Sequence, residues 1–67
     1  MKDTIHYEKP LTTDDAAELL NVTPRTLIEL RCRGEGPHYV KIGRLVRYRY
    51  RDLMKFLDQN TKDPSVA

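Results

Sequence analysis

Positive charge is concentrated in the middle of the sequence, and arginine supplies most of it. Residues 23–51 hold eight Lys and Arg residues against two Glu, a net charge of +6, and seven of these eight cations are arginines. The flanking residues 1–22 and 52–67 have net charges of −3 and −1. Arginine forms bidentate hydrogen bonds to phosphate and to the edge of guanine. The pattern therefore indicates a surface that binds a polyanion, with a solvated charged face as the simpler alternative.

Residues that read bases and bind phosphate are expected near the start of a helix that begins at Thr23-Pro24. Thr caps helices and Pro suits their first turn, so this dipeptide is a strong helix start. Arg25 would pair with guanine, while Thr23 and Thr26 would bind phosphate. Glu29 would either accept a hydrogen bond from cytosine or pair with an arginine four residues away, and we favour the ion pair. The residues predicted to face outward on this helix are Pro24, Arg25, Thr26, Ile28, Glu29, Cys32 and Arg33.

A second cationic group lies where the sequence predicts a β-hairpin. Residues 38–42 and 45–49 have strand composition, and Gly43 supplies the positive φ that a two-residue turn with Arg44 requires. A narrow ribbon with Lys41 and Arg44 at its tip can reach the minor groove of DNA or the adjacent backbone. For Arg44 we favour this contact over protection of an exposed strand from aggregation.

The second strand alternates apolar and cationic residues. Val46 and Tyr48 alternate with Arg47 and Arg49, which predicts a half-buried strand with a cationic outer face. Arg47 would line phosphates on that face. For Arg49 and Arg51 both the phosphate and the edge-protection interpretations stay open, and capping of the third helix is a further alternative for Arg51. Tyr48 is expected to pack in the core with its hydroxyl at the rim.

Two short helices must hold the first cationic group in place. Residues 12–20 predict the first helix, with Ala16, Leu19 and Leu20 on one apolar face. Asn21 ends it, because Asn tolerates the left-handed conformation that follows many helices.

The spacing between the helices favours a helix-turn-helix over an ordinary helical hairpin. Ala17 is small enough for a close approach, and Leu27 and Leu30 follow ten and thirteen residues later as apolar anchors. Val22, in the turn, is expected to fill the core, and Gly34 ends the second helix.

A third helix completes the predicted domain. Residues 52–59 are amphipathic, with Leu53, Phe56 and Leu57 on one face. The fold class that follows is α+β: a winged helix-turn-helix with two short helices, a two-stranded hairpin wing and a C-terminal helix. The predicted division of the chain is a flexible arm (residues 1–10), the winged helix-turn-helix domain (residues 11–59) and a disordered tail (residues 60–67).

Length and composition exclude several classes of protein. With 67 residues the chain forms one small domain, and its longest apolar run of two residues rules out a transmembrane helix. A lone cysteine excludes an intramolecular disulfide, and no Cys and His cluster has zinc-ligand spacing. Residues 1–10 lack the apolar core of a secretory signal. We therefore expect a cytoplasmic protein that is not an enzyme and that uses no cofactor, metal or membrane.

Five motifs follow one another along about residues 11–58 in a characteristic order and spacing. They are Leu11–Leu27, Gly34–Pro37, Lys41–Arg44, Val46–Tyr48 and Asp52-Leu53. Together they resemble the small MerR-like winged-helix family, which includes phage and integrative-element excisionases and AlpA-like prophage regulators. The motifs are specific for a DNA-binding winged helix, and less so for excision, because both groups use the same domain.

The resemblance implies that the second helix lies in the major groove and that the Gly43-Arg44 wing enters the minor groove. Excisionases of this kind have no catalytic activity; they bind side by side at attachment sites, bend the DNA and help an integrase favour excision. The implied partners are therefore double-stranded DNA and a site-specific integrase. The complete predicted DNA-contacting set is Thr23, Pro24, Arg25, Thr26, Ile28, Glu29, Arg33, Lys41, Gly43, Arg44 and Arg47.

Two features depart from the family's pattern. Arg31 occupies a position that is often apolar, so its stem is expected to pack while its head group reaches phosphate. The third helix is followed only by a short tail, without the dimerising coiled coil of full-length MerR regulators. We therefore expect a monomer that associates only on DNA, and not an effector-sensing regulator.

The predicted function is sequence-specific binding of double-stranded DNA as an excisionase, a recombination directionality factor of a mobile element. A small AlpA-like transcriptional regulator of such an element is the alternative. A third interpretation, from a different class, is a protein-interaction adaptor whose basic face meets an acidic partner or an integrase. A DNA binder loses affinity steeply with salt and prefers particular sites, whereas an adaptor shows no sequence preference.

Overall fold

The computed structural model describes residues 9–64, which form three helices and one two-stranded antiparallel sheet. In chain order the elements are helix α1 (Thr13–Leu20), helix α2 (Pro24–Cys32), strand β1 (Val40–Ile42), strand β2 (Leu45–Arg47) and helix α3 (Tyr50–Gln59). The predicted α+β class is confirmed, and this is the element order of a winged helix-turn-helix. None of the helices in this part of the chain is long and apolar enough to cross a membrane.

Side-chain caps define the two helices of the helix-turn-helix. The Thr12 hydroxyl accepts a hydrogen bond from the amide three residues on at 3.1 Å, and so starts α1. Asn21 ends α1 in the left-handed conformation, with φ 60° and ψ 44°. Thr23 then caps α2 by accepting from the Thr26 amide at 3.1 Å, and Pro24 occupies the first turn. The turn between α1 and α2 is therefore fixed by local chemistry, as the sequence predicts.

The end of α2 is a Schellman motif. Gly34 has a φ of +71°, and its amide donates to the carbonyl of Arg31 at 3.0 Å. The Glu35 amide donates to the carbonyl of Leu30 at 2.9 Å. These two bonds satisfy carbonyls at the end of the helix, and they need the positive φ that glycine adopts without strain. The prediction that Gly34 ends the second helix is confirmed.

The hairpin is shorter than predicted. Its register pairs Val40 with Arg47 and Ile42 with Leu45, so the two-residue turn lies where the sequence places it. Each strand has three residues, in place of the five predicted. Beyond β2 the backbone leaves its partner strand and pairs with Leu11, before α1, because the chain must turn there to begin α3.

A small core lies where α1, α2, α3 and the end of the wing meet. Its fully buried residues are Ala16, Ala17, Leu27, Tyr48 and Leu53. Because alanines occupy the α1 side, the helices approach closely, and two leucines and one tyrosine fill the space between them. The predicted core positions of Ala17, Leu27, Tyr48 and Leu53 are confirmed. The Tyr48 hydroxyl, expected at the rim, is buried with the rest of the side chain, because Arg31 covers it with a hydrogen bond.

Three apolar residues predicted to be inside are at the surface. Val22 is 37% exposed in the turn, and Ala16, Ala17 and Leu27 form the core between the two helices in its place. Leu19 is also exposed, since α1 turns Leu20 and the alanines toward the core. Leu57 is exposed on α3, and Met54 packs against the core in its place. In α1 and α3 the apolar residues have the predicted helical spacing, but the buried face of each helix is rotated by about one residue from the predicted face.

Helix α3 begins two residues earlier than predicted, at Tyr50, so Arg51 lies inside its first turn. At the other end, the Asn60 side chain donates to the carbonyl of Phe56 at 2.8 Å, and Thr61 donates to that of Leu57 at 2.8 Å. Residues 1–8 and 65–67 lie outside the described residues. The predicted arm and tail boundaries therefore stay predictions.

Candidate nucleic-acid interface

Helix α2 turns most of its surface to solvent. Only Leu27 is fully buried, with Leu30 and Arg31 half-buried beside it. The residues predicted to face outward are all exposed: Pro24, Arg25, Thr26, Ile28, Glu29, Cys32 and Arg33. A helix anchored along one narrow stripe can enter a groove with the rest of its surface.

Arg25 and Glu29 form the predicted ion pair along this surface. The Nε atom of Arg25 donates to the carboxylate of Glu29 at 3.3 Å, and the arginine side chain is 88% exposed. A surface pair of this kind contributes only about 0–1 kcal/mol. The two terminal Nη atoms of Arg25 make no hydrogen bond within the described residues. The pair therefore orients the guanidinium and leaves the atoms that contact guanine accessible.

The two threonines at the start of α2 differ in what they can offer a phosphate. Thr23 accepts from the Thr26 amide as the helix cap, and its hydroxyl donates to the Thr26 hydroxyl at 2.9 Å. Its hydroxyl proton is therefore already donated within the protein. The Thr26 hydroxyl oxygen accepts the bond from Thr23, so the proton of the Thr26 hydroxyl is available for donation. Thr26 is the better placed of the two to donate to phosphate.

At the far end of α2, the Nε atom of Arg33 lies 3.6 Å from the Oε1 atom of Glu35, and both side chains are mostly exposed. This weak surface pair leaves Arg33 able to rotate toward a partner. The exposed cations Arg25 and Arg33 are eight residues apart, so about 12 Å of helix separates them.

The tip of the wing projects away from the core. Lys41, Gly43 and Arg44 are exposed, as are the flanking Ile42 and Leu45. Gly43 has a φ of +62°, and a Cβ built on it would meet no atom within 4 Å. Glycine is thus required there by backbone conformation and not by crowding.

A groove connects the wing to the helix-turn-helix. It has a volume of about 360 Å³ and runs between the first turn of α1 and β2. Arg31, Arg44 and Arg47 line it, together with the acidic Asp14. Arg47 is half-buried, and its Nη1 donates to the carbonyl of Val46 at 2.8 Å, so this arginine is held against the hairpin. Three arginines along one groove form a site suited to a phosphodiester backbone.

Arg31 does not carry the free head group that the sequence suggested. Its Nη1 donates to the hydroxyl of Tyr48 at 3.1 Å, and its guanidinium carbon lies 5.7 Å from the centre of the Tyr39 ring. The centres of the Tyr39 and Tyr48 rings are 6.2 Å apart, and the ring planes are inclined by 53°. Because the hydroxyl of a buried tyrosine needs a partner, the arginine is drawn to it instead of extending into solvent. This cluster connects α2 to both ends of the wing.

The sequence contained one signal for this contact that was not used. Tyr48 was expected in the core with its hydroxyl at the rim, which requires a donor or acceptor nearby. Arg31 was the cation at an otherwise apolar helix position. Pairing these two unusual features would have predicted the bond between them.

The class of protein defined by this architecture is a winged helix-turn-helix with an exposed second helix and a cationic wing. A family model described as a helix-turn-helix domain matches residues 10–61, and the chain belongs to this family. The match includes α1, α2, the hairpin and α3. Comparison with curated protein sequences gives no significant match. Membership supports binding of double-stranded DNA, and domains of this family are typically non-enzymatic.

Proposed function

We propose that this protein binds double-stranded DNA with α2 in the major groove and the wing in the adjacent minor groove. The observation that carries the proposal is the exposure of cations on both elements: the Arg25 side chain is 88% exposed on α2, and Lys41 and Arg44 are exposed at the tip of the wing. The open groove between the first turn of α1 and β2 adds Arg31 and Arg47 beside Arg44. A DNA backbone strand on this cationic surface would contact both α2 and the wing.

The contacts divide into those that read bases and those that bind the backbone. Arg25 is the base-reading residue, and a bidentate contact to guanine is worth about 1–3 kcal/mol of discrimination. Thr26 at the start of α2 donates to phosphate. Four further cations (Arg33, Lys41, Arg44 and Arg47) are available to the backbone. About four phosphate contacts give a log–log salt slope of roughly −3 to −4.

We further propose that the protein is a cytoplasmic excisionase that works with a site-specific integrase. The resemblance of its motifs to the family that includes excisionases supports this role, and an AlpA-like regulator, which uses the same domain, is the alternative. In this role the protein is a monomer in solution and assembles cooperatively on repeated sites beside an attachment site. It bends the DNA there and has no catalytic step of its own.

A gel-shift and bending assay with three duplexes tests both levels of the proposal. The duplexes are the attachment-site region of the source element, its promoter region and a scrambled sequence, at near-physiological salt. Cooperative binding and bending at the attachment site supports excision, and tight binding only at the promoter identifies a regulator. Equal weak binding to all three contradicts sequence-specific recognition and favours a protein-interaction adaptor.

The Arg44→Ala variant distinguishes entry of the wing into the minor groove from a phosphate contact that is independent of sequence. If Arg44 enters the minor groove, the loss of affinity is greatest on sites with A·T-rich flanks, where the groove is narrow and its potential most negative. An equal loss on all sequences would show that Arg44 contacts only phosphate. Lys55→Ala is the matched control, because this exposed cation lies on α3, away from the wing tip.

A further inference from the structure

The tip of the wing carries two exposed aliphatic side chains beside its cations. Ile42 is 56% exposed and Leu45 is 52% exposed, more than any other large hydrophobic residue in the described part of the chain. They are partners in the strand register, at the last pair before the turn. Side chains directly opposite each other in an antiparallel pair lie on the same face. Ile42 and Leu45 therefore form one apolar surface at the end of the wing.

This apolar pair has no structural task within the domain. The core consists of five residues from α1, α2, α3 and the end of the wing, and neither side chain belongs to it. Val46 is the hairpin residue that packs against the core. Two exposed aliphatic residues directly opposite each other at the tip of the wing are unlike the scattered surface leucines of an ordinary domain.

The charge around the pair identifies its partner. Arg44 in the turn and Arg47 on the same face border the pair, and Lys41 lies on the opposite face of the ribbon. Neither Lys41 nor Arg44 has an ion-pair partner among residues 9–64. This charge repels the same surface of a second copy and attracts a polyanion. An apolar surface framed by cations matches the minor groove, where aliphatic side chains enter between base steps while arginines contact the backbone.

The size of the ribbon determines what happens to the DNA. A β-ribbon with its side chains is about 10 Å thick, whereas the minor groove of B-form DNA is about 6 Å wide. The tip cannot enter fully unless the groove widens, and a wedge between base steps widens it by bending the duplex toward the major groove. Flexible pyrimidine–purine steps such as TA require the least energy for this.

We propose that Ile42 and Leu45 act as an apolar wedge that enters the minor groove and bends the DNA at a pyrimidine–purine step. The inference rests on the proposed DNA binding and deepens it, because it assigns the bending to two residues. Arg44, between them in the turn, holds the tip in the groove by its charge. Affinity and bending are thus supplied by different side chains of the same wing.

The test compares wild-type protein with the double variant Ile42→Ala/Leu45→Ala on one bound duplex. Bending is measured by fluorescence energy transfer between the duplex ends, and unstacking by 2-aminopurine placed at the bent step. The double variant is expected to bind roughly tenfold more weakly. It should retain the wild-type salt slope, lose most of the bend and give no increase in 2-aminopurine fluorescence. Circular dichroism confirms that both proteins are folded.

Two control variants make the result specific. Leu57→Ala removes an exposed aliphatic side chain on α3 and should leave both affinity and bending unchanged. Arg44→Ala should reduce the magnitude of the salt slope by up to about 0.9, because it removes one cation from the DNA interface. If the Ile42→Ala/Leu45→Ala variant instead changes the salt slope, the pair acts through the position of Arg44, and the wedge is wrong.

The remaining outcomes separate this inference from the proposed function. Wild-type bending and affinity retained by Ile42→Ala/Leu45→Ala would overturn the wedge while DNA binding stands. Self-association of wild-type protein in sedimentation, lost in the double variant, would assign the pair to an interface between copies and overturn the wedge. If wild-type protein binds no duplex, the proposed function itself fails.

Discussion

Removing the hydroxyl of Tyr48 tests the contact that joins α2 to the wing. The Tyr48 ring is fully buried, and its hydroxyl accepts a hydrogen bond from Arg31 at 3.1 Å. Tyr48→Phe keeps the ring and leaves a half-buried guanidinium without this acceptor. Hydrogen bonds to charged groups contribute about 1.5–3 kcal/mol. Because Arg31 also has access to water and still lies over the Tyr39 ring, we expect a loss at or below the lower end of that range, about 1–2 kcal/mol.

A loss of this size is large for a domain of 67 residues. In small domains each 1 kcal/mol lowers the melting temperature by about 4–8 °C, so Tyr48→Phe should lower it by roughly 5–15 °C. Thermal unfolding followed by circular dichroism measures the shift, and urea unfolding gives the free energy. Tyr39→Phe is the matched control. The Tyr39 hydroxyl makes no hydrogen bond within the described residues, so its removal should change stability by less than about 0.5 kcal/mol.

A double-mutant cycle then assigns the energy to the pair. Arg31→Met removes the guanidinium and keeps an apolar stem, and in this background Tyr48→Phe should cost little. Two results would refute the reasoning. One is that Tyr48→Phe lowers the free energy of unfolding no more than Tyr39→Phe does. The other is that Tyr48→Phe lowers it equally in the wild-type and Arg31→Met backgrounds. The first result would mean that the bond contributes nothing, and the second that the hydroxyl acts through another partner.

Three further substitutions test the helix pair, the hairpin turn and the base-contacting helix. Ala17→Leu should cost about 1–3 kcal/mol in urea unfolding, because Ala17 is 1% exposed in the core; an unchanged midpoint would contradict the close approach. Gly43→Ala should cost about 1–2 kcal/mol through its φ of +62°, and Gly43→Asn less; equal losses would mean that backbone conformation is not the cause. Arg25→Ala should change the free energy of unfolding by less than about 0.5 kcal/mol, because its ion pair with Glu29 is exposed. In selection from random duplexes, the same variant should lose base preference at about one or two positions. An unaltered preference would remove Arg25 from the base-reading set.

The boundaries of the helix-turn-helix were predictable because they depend on neighbouring residues. A threonine cap, an Asn in the left-handed region and a Gly at a helix end each act within four residues of themselves. Thr23, Asn21 and Gly34 therefore lie where the sequence indicated. The two-residue turn at Gly43 was predictable for the same reason.

The orientation of the buried faces was less predictable because it depends on distant residues. Val22 and Leu57 are as apolar as the residues that are buried, and only the packing of α1, α2 and α3 decides between them. Strand length also depended on tertiary structure, since the backbone of Tyr48 pairs with Leu11 from before α1. No local pattern in either segment announces that pairing.

The candidate site shows the same division. The exposed surface of α2 and the Arg25–Glu29 pair follow from helical spacing, which the sequence contains. The bond between Arg31 and Tyr48 joins residues seventeen positions apart and needs the folded chain. The apolar pair of Ile42 and Leu45 at the wing tip also needs the folded chain, because only the strand register places the two residues opposite each other.

Chemical footprinting with dimethyl sulfate tests the central claim most directly, because the reagent reports both grooves at once. It methylates guanine N7 in the major groove and adenine N3 in the minor groove. With α2 and the wing in adjacent grooves, protection of guanine N7 should occur beside protection of adenine N3, about half a helical turn away. Arg25→Ala should weaken the first and Arg44→Ala the second. Protection in only one groove, or uniform weak protection along the duplex, would contradict the two-groove mode of binding.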